Sequence, residues 1–185
     1  LLVLFLLTLA NANYSLNFDG VNDYLEVVDS NSLHFEDGPI TFSIWFKKSP
    51  VGVNHQLQTN LITNFITPTT PLIGLYIEGN CCNESGHIAF HYRDGNEETG
   101  LYSSNRMDDN QWHHVVGVKD DELDKILLYI DGVLDAETGI TPGNNDSNQG
   151  LAIGSGHLDR YMEVMIDEAA IFNRILSASE IEHLY

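Results

Sequence analysis

The sequence predicts an all-β fold: a two-sheet antiparallel jelly-roll sandwich with a short C-terminal helix. Three observations predict it. Short runs alternating apolar and polar residues recur along the chain, with the period of a half-buried strand. Clusters of Gly, Asn, Asp and Pro separate them, as turns require. No helical period of apolar residues develops before the last turn or two of the chain. At 185 residues, with 43% apolar content, about ten such strands make one sandwich with one core.

The elements follow in order. A strand over 14–18 puts Leu16 and Phe18 on one side and Ser15 and Asn17 on the other. Asp19-Gly20 and Asn22-Asp23 turn the chain into a second strand over 24–28. Residues 40–46 place Ile40, Phe42, Ile44 and Phe46 on one face and Thr41, Ser43 and Trp45 on the other. Strands over 61–66 and 72–77 are separated by a Thr/Pro turn. Residues 87–92 alternate Ile88, Phe90 and Tyr92 against His87, Ala89 and His91. Residues 79–86, 94–100 and 141–150 are expected as rim loops, and 100–105 is a polar stretch. Strands over 112–118 and 125–130 come next. Asp131-Gly132 closes the second of these in a hairpin turn into Val133 and Leu134. Residues 151–153 and 164–172 complete the sheets. Ser177 and Glu180 form a capping box, each side chain reaching the other's backbone N–H, and start a helix carrying Ile181 and Leu184.

Charge narrows the function. With 27 acidic residues against 8 Lys and Arg, the net charge is -19. Nucleic-acid binding needs a basic footprint, which is absent, and anionic lipid is disfavoured for the same reason. Acidity favours multivalent cations, chiefly calcium with its oxygen ligands. Much of the excess falls in the turns 19–23, 94–98 and 120–124.

Residues 1–12, LLVLFLLTLANA, are an apolar run ending in the A-x-A pattern Ala10-Asn11-Ala12, without an initiator Met or a basic start. They read as a signal-peptide remnant or as an apolar assembly segment able to dock on a sheet edge, leaving 13–185 as the domain. The run is shorter than the roughly 20 apolar residues of a membrane span. Cys81 and Cys82 are adjacent; they form a vicinal disulfide, bridge to other chains, or remain reduced thiols in a loop. Asn13, Asn83 and Asn145 begin N-x-[ST] sequons. With the apolar start, these lean towards an extracellular protein.

The strings SLNFDGVNDYLEV, ITFSIWFK, QWHHVVGVKD, ILLYIDGVLD, LAIGSG and VMIDEAAIFNRILSASEI occur in that order between Tyr14 and Tyr185. The chain resembles the laminin G-like domains of the concanavalin A-like lectin/glucanase superfamily, most loosely over 49–107. The resemblance implies a mostly non-catalytic, secreted or cell-surface domain that binds glycans or protein partners, often with calcium.

For catalysis, glucanases on this fold carry an E-x-D-x-E strand, and none is present. Asp120, Asp121, Glu122 and Asp124 sit in a hairpin loop, and no nucleophile elbow occurs. His113 and His114 alternate across a strand; so do Asp167 and Glu168, which are expected on opposite faces and unable to act together. The chain is expected not to be an enzyme, with a glycan-cleaving activity as the remaining alternative.

For calcium, the resemblance implies that the first and last strands lie side by side. Asp19 would then approach Asp167, with Gly20 or Asn22 lending carbonyls. The alternative has Asp19 capping its turn and Asp167 bonding backbone N–H groups. Among aromatic residues, Trp45, Trp112, Tyr76, Tyr92 and Tyr102 can stack on sugars if they line a surface. Trp112 is expected in the core and Tyr102 is the best candidate for exposure. His87, His91 and Arg93 share one strand face, either as a polar binding surface or as a solvated side. The resulting reading is an extracellular binding or adhesion module for a glycan or protein, with calcium as structural cofactor. The alternative is a subunit of an extracellular filament or homo-oligomer assembled through residues 1–12.

Overall fold

The computed structural model describes residues 14–30, 33, 38–50, 59–64, 72–79, 84–94, 97–141, 143, 150–154 and 161–185. The apolar segment 1–12, the cysteines Cys81 and Cys82, and the sequon residues Asn13, Asn83 and Asn145 lie outside the described residues.

In chain order the strands are β1 (Leu16–Asp19), β2 (Leu25–Val27), β3 (Ile40–Lys47), β4 (Thr59–Thr63), β5 (Leu72–Ile77) and β6 (His87–Arg93). Then come β7 (Glu98–Arg106), β8 (Trp112–Asp120), β9 (Lys125–Ile130), β10 (Val133–Gly139), β11 (Leu151–Ile153) and β12 (Glu163–Phe172). The helix α1 (Ala178–Leu184) closes the chain's fold. Among the described residues these strands form two six-stranded sheets, ordered β1-β12-β3-β8-β9-β10 and β2-β11-β4-β5-β6-β7. Neighbours pair antiparallel throughout. The expected jelly-roll sandwich is therefore the observed one, and its first and last strands do pair.

The core lies between the inner faces. Ile40, Phe42, Ile44 and Phe46 of β3 are fully buried, as the alternation requires, and meet Ile73, Leu75, Ile77, Ile88 and Phe90 of the facing sheet. Phe42 and Phe90 touch edge to face across the sandwich at 6.4 Å and 62°. Asp131 and Gly132 both adopt left-handed backbone (φ 50° and 77°), the requirement of a two-residue hairpin turn of the primed type.

Part of the first sheet's outer face is buried too. Val116, Val118 and Tyr129 form a second apolar cluster with Leu176 and Ile181, so α1 acts as a lid on β8 and β9. The capping box holds that lid. Ser177 Oγ accepts from the Glu180 N–H at 3.3 Å, and the Ser177 N–H donates to Glu180 Oε2 at 2.9 Å. Arg174 donates to Glu180 Oε1 at 2.8 Å and, with the Ser177 bonds, holds the Glu180 carboxyl down to about 2. Substituting Ser177→Ala is expected to cost about 1 kcal/mol in urea unfolding. A midpoint identical to wild type would show that α1 docks through Ile181 alone.

Three expectations change. The stretch 98–106, expected as loop and polar segment, is strand β7, paired along its length with β6. Trp112, expected in the core, is 36% exposed. Val115 points inward from β8, so the pleat sends Trp112, His114 and Val116 to the outer face. Finally, β12 is not regular. The pairing Asp167↔Trp45 is followed by Ala170↔Ser43, so Glu168 and Ala169 together face the single Ile44. This is a β-bulge, and Glu168 sits at φ 46°, left-handed and strained for a residue with a Cβ.

Candidate functional site

Two surfaces carry polar and aromatic side chains in arrangements able to hold a ligand. The first is the outer face of the second sheet. Because Ile88, Phe90 and Tyr92 of β6 point into the core, His91 and Arg93 point out, toward Gly100 and Glu98 of β7. His91 is buried, 8% exposed, and lies between two carboxylates. Its Nδ1 donates to Glu98 Oε1 at 2.7 Å, and its Nε2 is 3.6 Å from Glu78 Oε1. Burial pulls the imidazole down, but Glu78 and Glu98 outweigh it and hold His91 above its ordinary value. The His91 bond in turn holds Glu98 below the usual carboxylate range. Tyr76 and Tyr102 meet the imidazole edge-on at 5.3 and 5.8 Å. Gly100 keeps this packing close, since a Cβ there would come within 3.0 Å of the Tyr102 hydroxyl and 3.2 Å of His91 Nε2. Tyr102 itself remains 39% exposed, and Arg93 Nη1 reaches Glu98 Oε2 at 3.4 Å.

Four sequence-predicted residues thus fall on β6 and β7, and the structure brings three of them together: His91, Arg93 and Tyr102. His87 stands apart, with its Nδ1 donating to the Ser103 carbonyl at 2.7 Å beside the irregularity between His87 and Ala89. Sequence reasoning missed Glu78 and Glu98: Glu78 comes beside His91 through the pairing of β5 with β6, and Glu98 through that of β7 with β6.

The second surface is a groove of about 730 Å³ on the outer face of the first sheet, lined by Ser15, Trp45, Trp112, Met165, Asp167, Glu168, Leu184 and Tyr185. Trp45 stacks with Tyr185 at 5.6 Å and 13°, and with His114 at 5.2 Å and 27°. The bulge overturns one expectation here. Successive residues of a regular strand face opposite ways, yet Asp167 and Glu168 both open onto this groove. The Asp167 Oδ1 accepts the Glu168 N–H at 2.9 Å, which fits the left-handed turn of the backbone.

The calcium residues are placed differently from the expectation. Asp19 pairs across from Glu163, and Asp167 lies four residues further along β12 (163 to 167), roughly 13 Å away at 3.3 Å per residue. Asp19 caps its own turn, accepting from the Val21 N–H at 2.8 Å and donating its N–H to Asp23 at 3.1 Å. Gly20 (φ 76°) and Asn22 belong to that turn, so the structure does not bring Asp167 to them. Among the described residues no group of three or more His, Cys, Asp or Glu side chains is placed to hold a metal ion.

The geometry can be set beside known proteins. No curated protein matches the chain in sequence. Among solved structures, the binding domain of Paraclostridial Mosquitocidal Protein 1 is similar, with a TM-score of 0.74 at 18% identity, over 92% of this chain and 42% of that one. Domain 4 of AbnA, a GH43 extracellular arabinanase from Geobacillus stearothermophilus in complex with arabinotriose, gives 0.70 at 18% identity over 92% and 75%. The botulinum neurotoxin serotype G binding domain gives 0.66 at 18% identity over 95% and 47%. The chain therefore spans less than half the length of the toxin binding domains it matches. At these identities the likeness shows the jelly-roll fold. A laminin G family model, described as concanavalin A-like lectin/glucanases superfamily, matches residues 19–182. With nearly the whole sandwich inside that match, the chain belongs to the laminin G-like domains of the concanavalin A-like lectin/glucanase superfamily.

Proposed function

We propose that this domain is a non-catalytic extracellular binding module that engages a glycan or a protein ligand through the outer face of the second sheet. The observation that carries the reading is the setting of Tyr102. Its ring is 39% exposed, yet the side chain it rests against, His91, is buried and bonded to a carboxylate. An aromatic face held in one orientation loses little entropy when a flat ligand stacks on it. Glu98 accepts hydroxyl or amide hydrogens at its edge, and Arg93 donates. Support also comes from the arabinotriose complex of a structure with the same fold. The extracellular part rests on the apolar start, the sequons and that extracellular relative. Among the described residues no helix is long and apolar enough to cross a membrane.

The test is binding to an array of glycans and extracellular-matrix proteins, followed by titration of each hit against Tyr102→Ala. Removing a stacking aromatic is expected to weaken a hit about tenfold or more. No binding across the panel, or hits unaffected by Tyr102→Ala, would overturn this assignment.

A further inference from the structure

We propose that the groove on the outer face of the first sheet is a second, separate binding site, and that it takes an alkylammonium group, such as a lysine-type amine or a quaternary ammonium. The argument starts from register. Trp45 on β3 pairs with Asp167 on one side and His114 on the other. Trp112, two residues before His114, is then the diagonal neighbour of Trp45, roughly 7 Å away. Asp167 lies directly across from Trp45, about 5 Å away between Cβ atoms. Trp45 is stacked against Tyr185 and His114, so the indole open to a cation in the groove is that of Trp112, 36% exposed on the face that carries Asp167.

The bulge supplies the counter-charge. By setting Glu168 at φ 46°, it turns a second carboxylate onto the face that Asp167 already occupies. Among the described residues the Glu168 carboxylate bonds none, and Asp167 engages only the adjacent N–H. Among the described residues no Lys or Arg lines the groove. Lys47 lies on the same outer face, paired with Met165 and Trp112, but makes no ion pair with Asp167 or Glu168. Two carboxylates beside aromatic walls, in a chain of net charge -19, repel anions. They reward an ammonium, whose N–H or polarised C–H groups meet the oxygens while its alkyl groups cover the rings and Met165. A neutral sugar would use the indole faces but leave the paired negative charge uncompensated.

Trp45 and Trp112 are the chain's two tryptophans and both line this groove, so fluorescence excited selectively at tryptophan, beyond the absorption of tyrosine, reports on it. Tetramethylammonium chloride is titrated against sodium chloride at constant ionic strength, with neopentyl alcohol as the uncharged isostere. Saturable quenching by the ammonium but not the alcohol is expected. Trp112→Ala, Asp167→Asn and Glu168→Gln should each weaken it about tenfold, within the range of a desolvated cation–π contact. Tyr102→Ala, on the opposite sheet, should leave it unchanged. These are surface substitutions, and an unchanged melting temperature confirms that each variant is folded. Equal response to ammonium and alcohol, response only to a neutral oligosaccharide, or insensitivity to both carboxylate changes would overturn the proposal. None of those results bears on glycan or protein capture at Tyr102.

Discussion

Gly117→Ala is expected to destabilise the domain by about 2–3 kcal/mol, and Gly117→Val by more, enough to lower the melting temperature by roughly 5–10 °C. Gly117 sits on the inner side of β8, between Phe42 of β3 and Leu128 of β9. The ring of Phe90, from the opposite sheet, lies directly on its backbone. A Cβ at position 117 would meet Phe90 Cδ2 at 2.6 Å, Cε2 at 2.8 Å and Cγ at 2.9 Å. Such distances are shorter than carbon–carbon contact allows, so something must move. The ring cannot swing out, because Phe90 is fully buried and already set edge-on against Phe42. The remaining way to relieve the clash is to part the two sheets locally, which loses contacts around Leu75, Ile126 and Leu128 as well.

The same geometry predicts the sign of a coupling. Phe90→Leu alone should destabilise by leaving a cavity, while Phe90→Leu combined with Gly117→Ala should cost less than the sum, since each change relieves the other. Urea unfolding of the four proteins measures that difference. Additive costs would mean that the sheets do not pack on each other at this point.

How far the sequence reveals this architecture depends on whether the deciding interaction is local. The alternation in β3, the Asp131-Gly132 turn and the Ser177–Glu180 box involve residues within a few positions of each other, and each is found as read. Strand β7 escaped because ETGLYSSNR has little apolar alternation; it is a sheet-edge strand whose pairing with β6 supplies the order that its side chains do not. Trp112 was misjudged because β8 is apolar on both faces, with Val115 in the main core and Val116 and Val118 under α1. Which face Trp112 takes depends on the helix that covers Val116, more than sixty residues away in sequence. The β12 bulge leaves no trace in the string Asp-Glu-Ala-Ala. It is visible only as the mismatch between Asp167↔Trp45 and Ala170↔Ser43. That mismatch makes the second groove. His91, Arg93 and Tyr102 share an outer face because β6 and β7 pair, whereas judging the Asp19–Asp167 pair needs the register along β1 and β12.

The second large effect concerns pH. Stability is expected to fall by about 3 kcal/mol between pH 6.5 and pH 4 through one residue, His114. Its imidazole is 1% exposed on the outer face of β8, packed against both Trp45 and Tyr185, with Nε2 at 2.9 Å from Ser43 Oγ. Its Nδ1 is buried with no hydrogen-bond partner among the described residues, so a proton there is an orphaned donor, and a second proton on the ring adds a buried charge. Burial therefore lowers its pKa to about 4, only slightly opposed by Asp131. A depressed native pKa means that the unfolded chain binds more protons between the two values. His114's contribution is complete above about 6.5 and is lost as pH falls towards 4. His113, its neighbour in sequence, works in the opposite sense. Burial lowers it, but Asp131 and Asp109, at 3.0 and 3.1 Å, outweigh that and raise it. Its contribution is complete below 6.5 and fades as pH rises through the native value, as does that of His91. Acid thus strengthens two histidines while undermining the third. Urea unfolding of wild type and His114→Gln, which keeps an amide for Ser43, separates them. The advantage of wild type over the variant should shrink by about 3 kcal/mol from pH 7 to pH 4, while carboxylate titration, common to both, cancels. A difference that stays constant with pH would show that His114 charges freely in the native state, and with it that the Trp45–His114–Tyr185 stack opens to water.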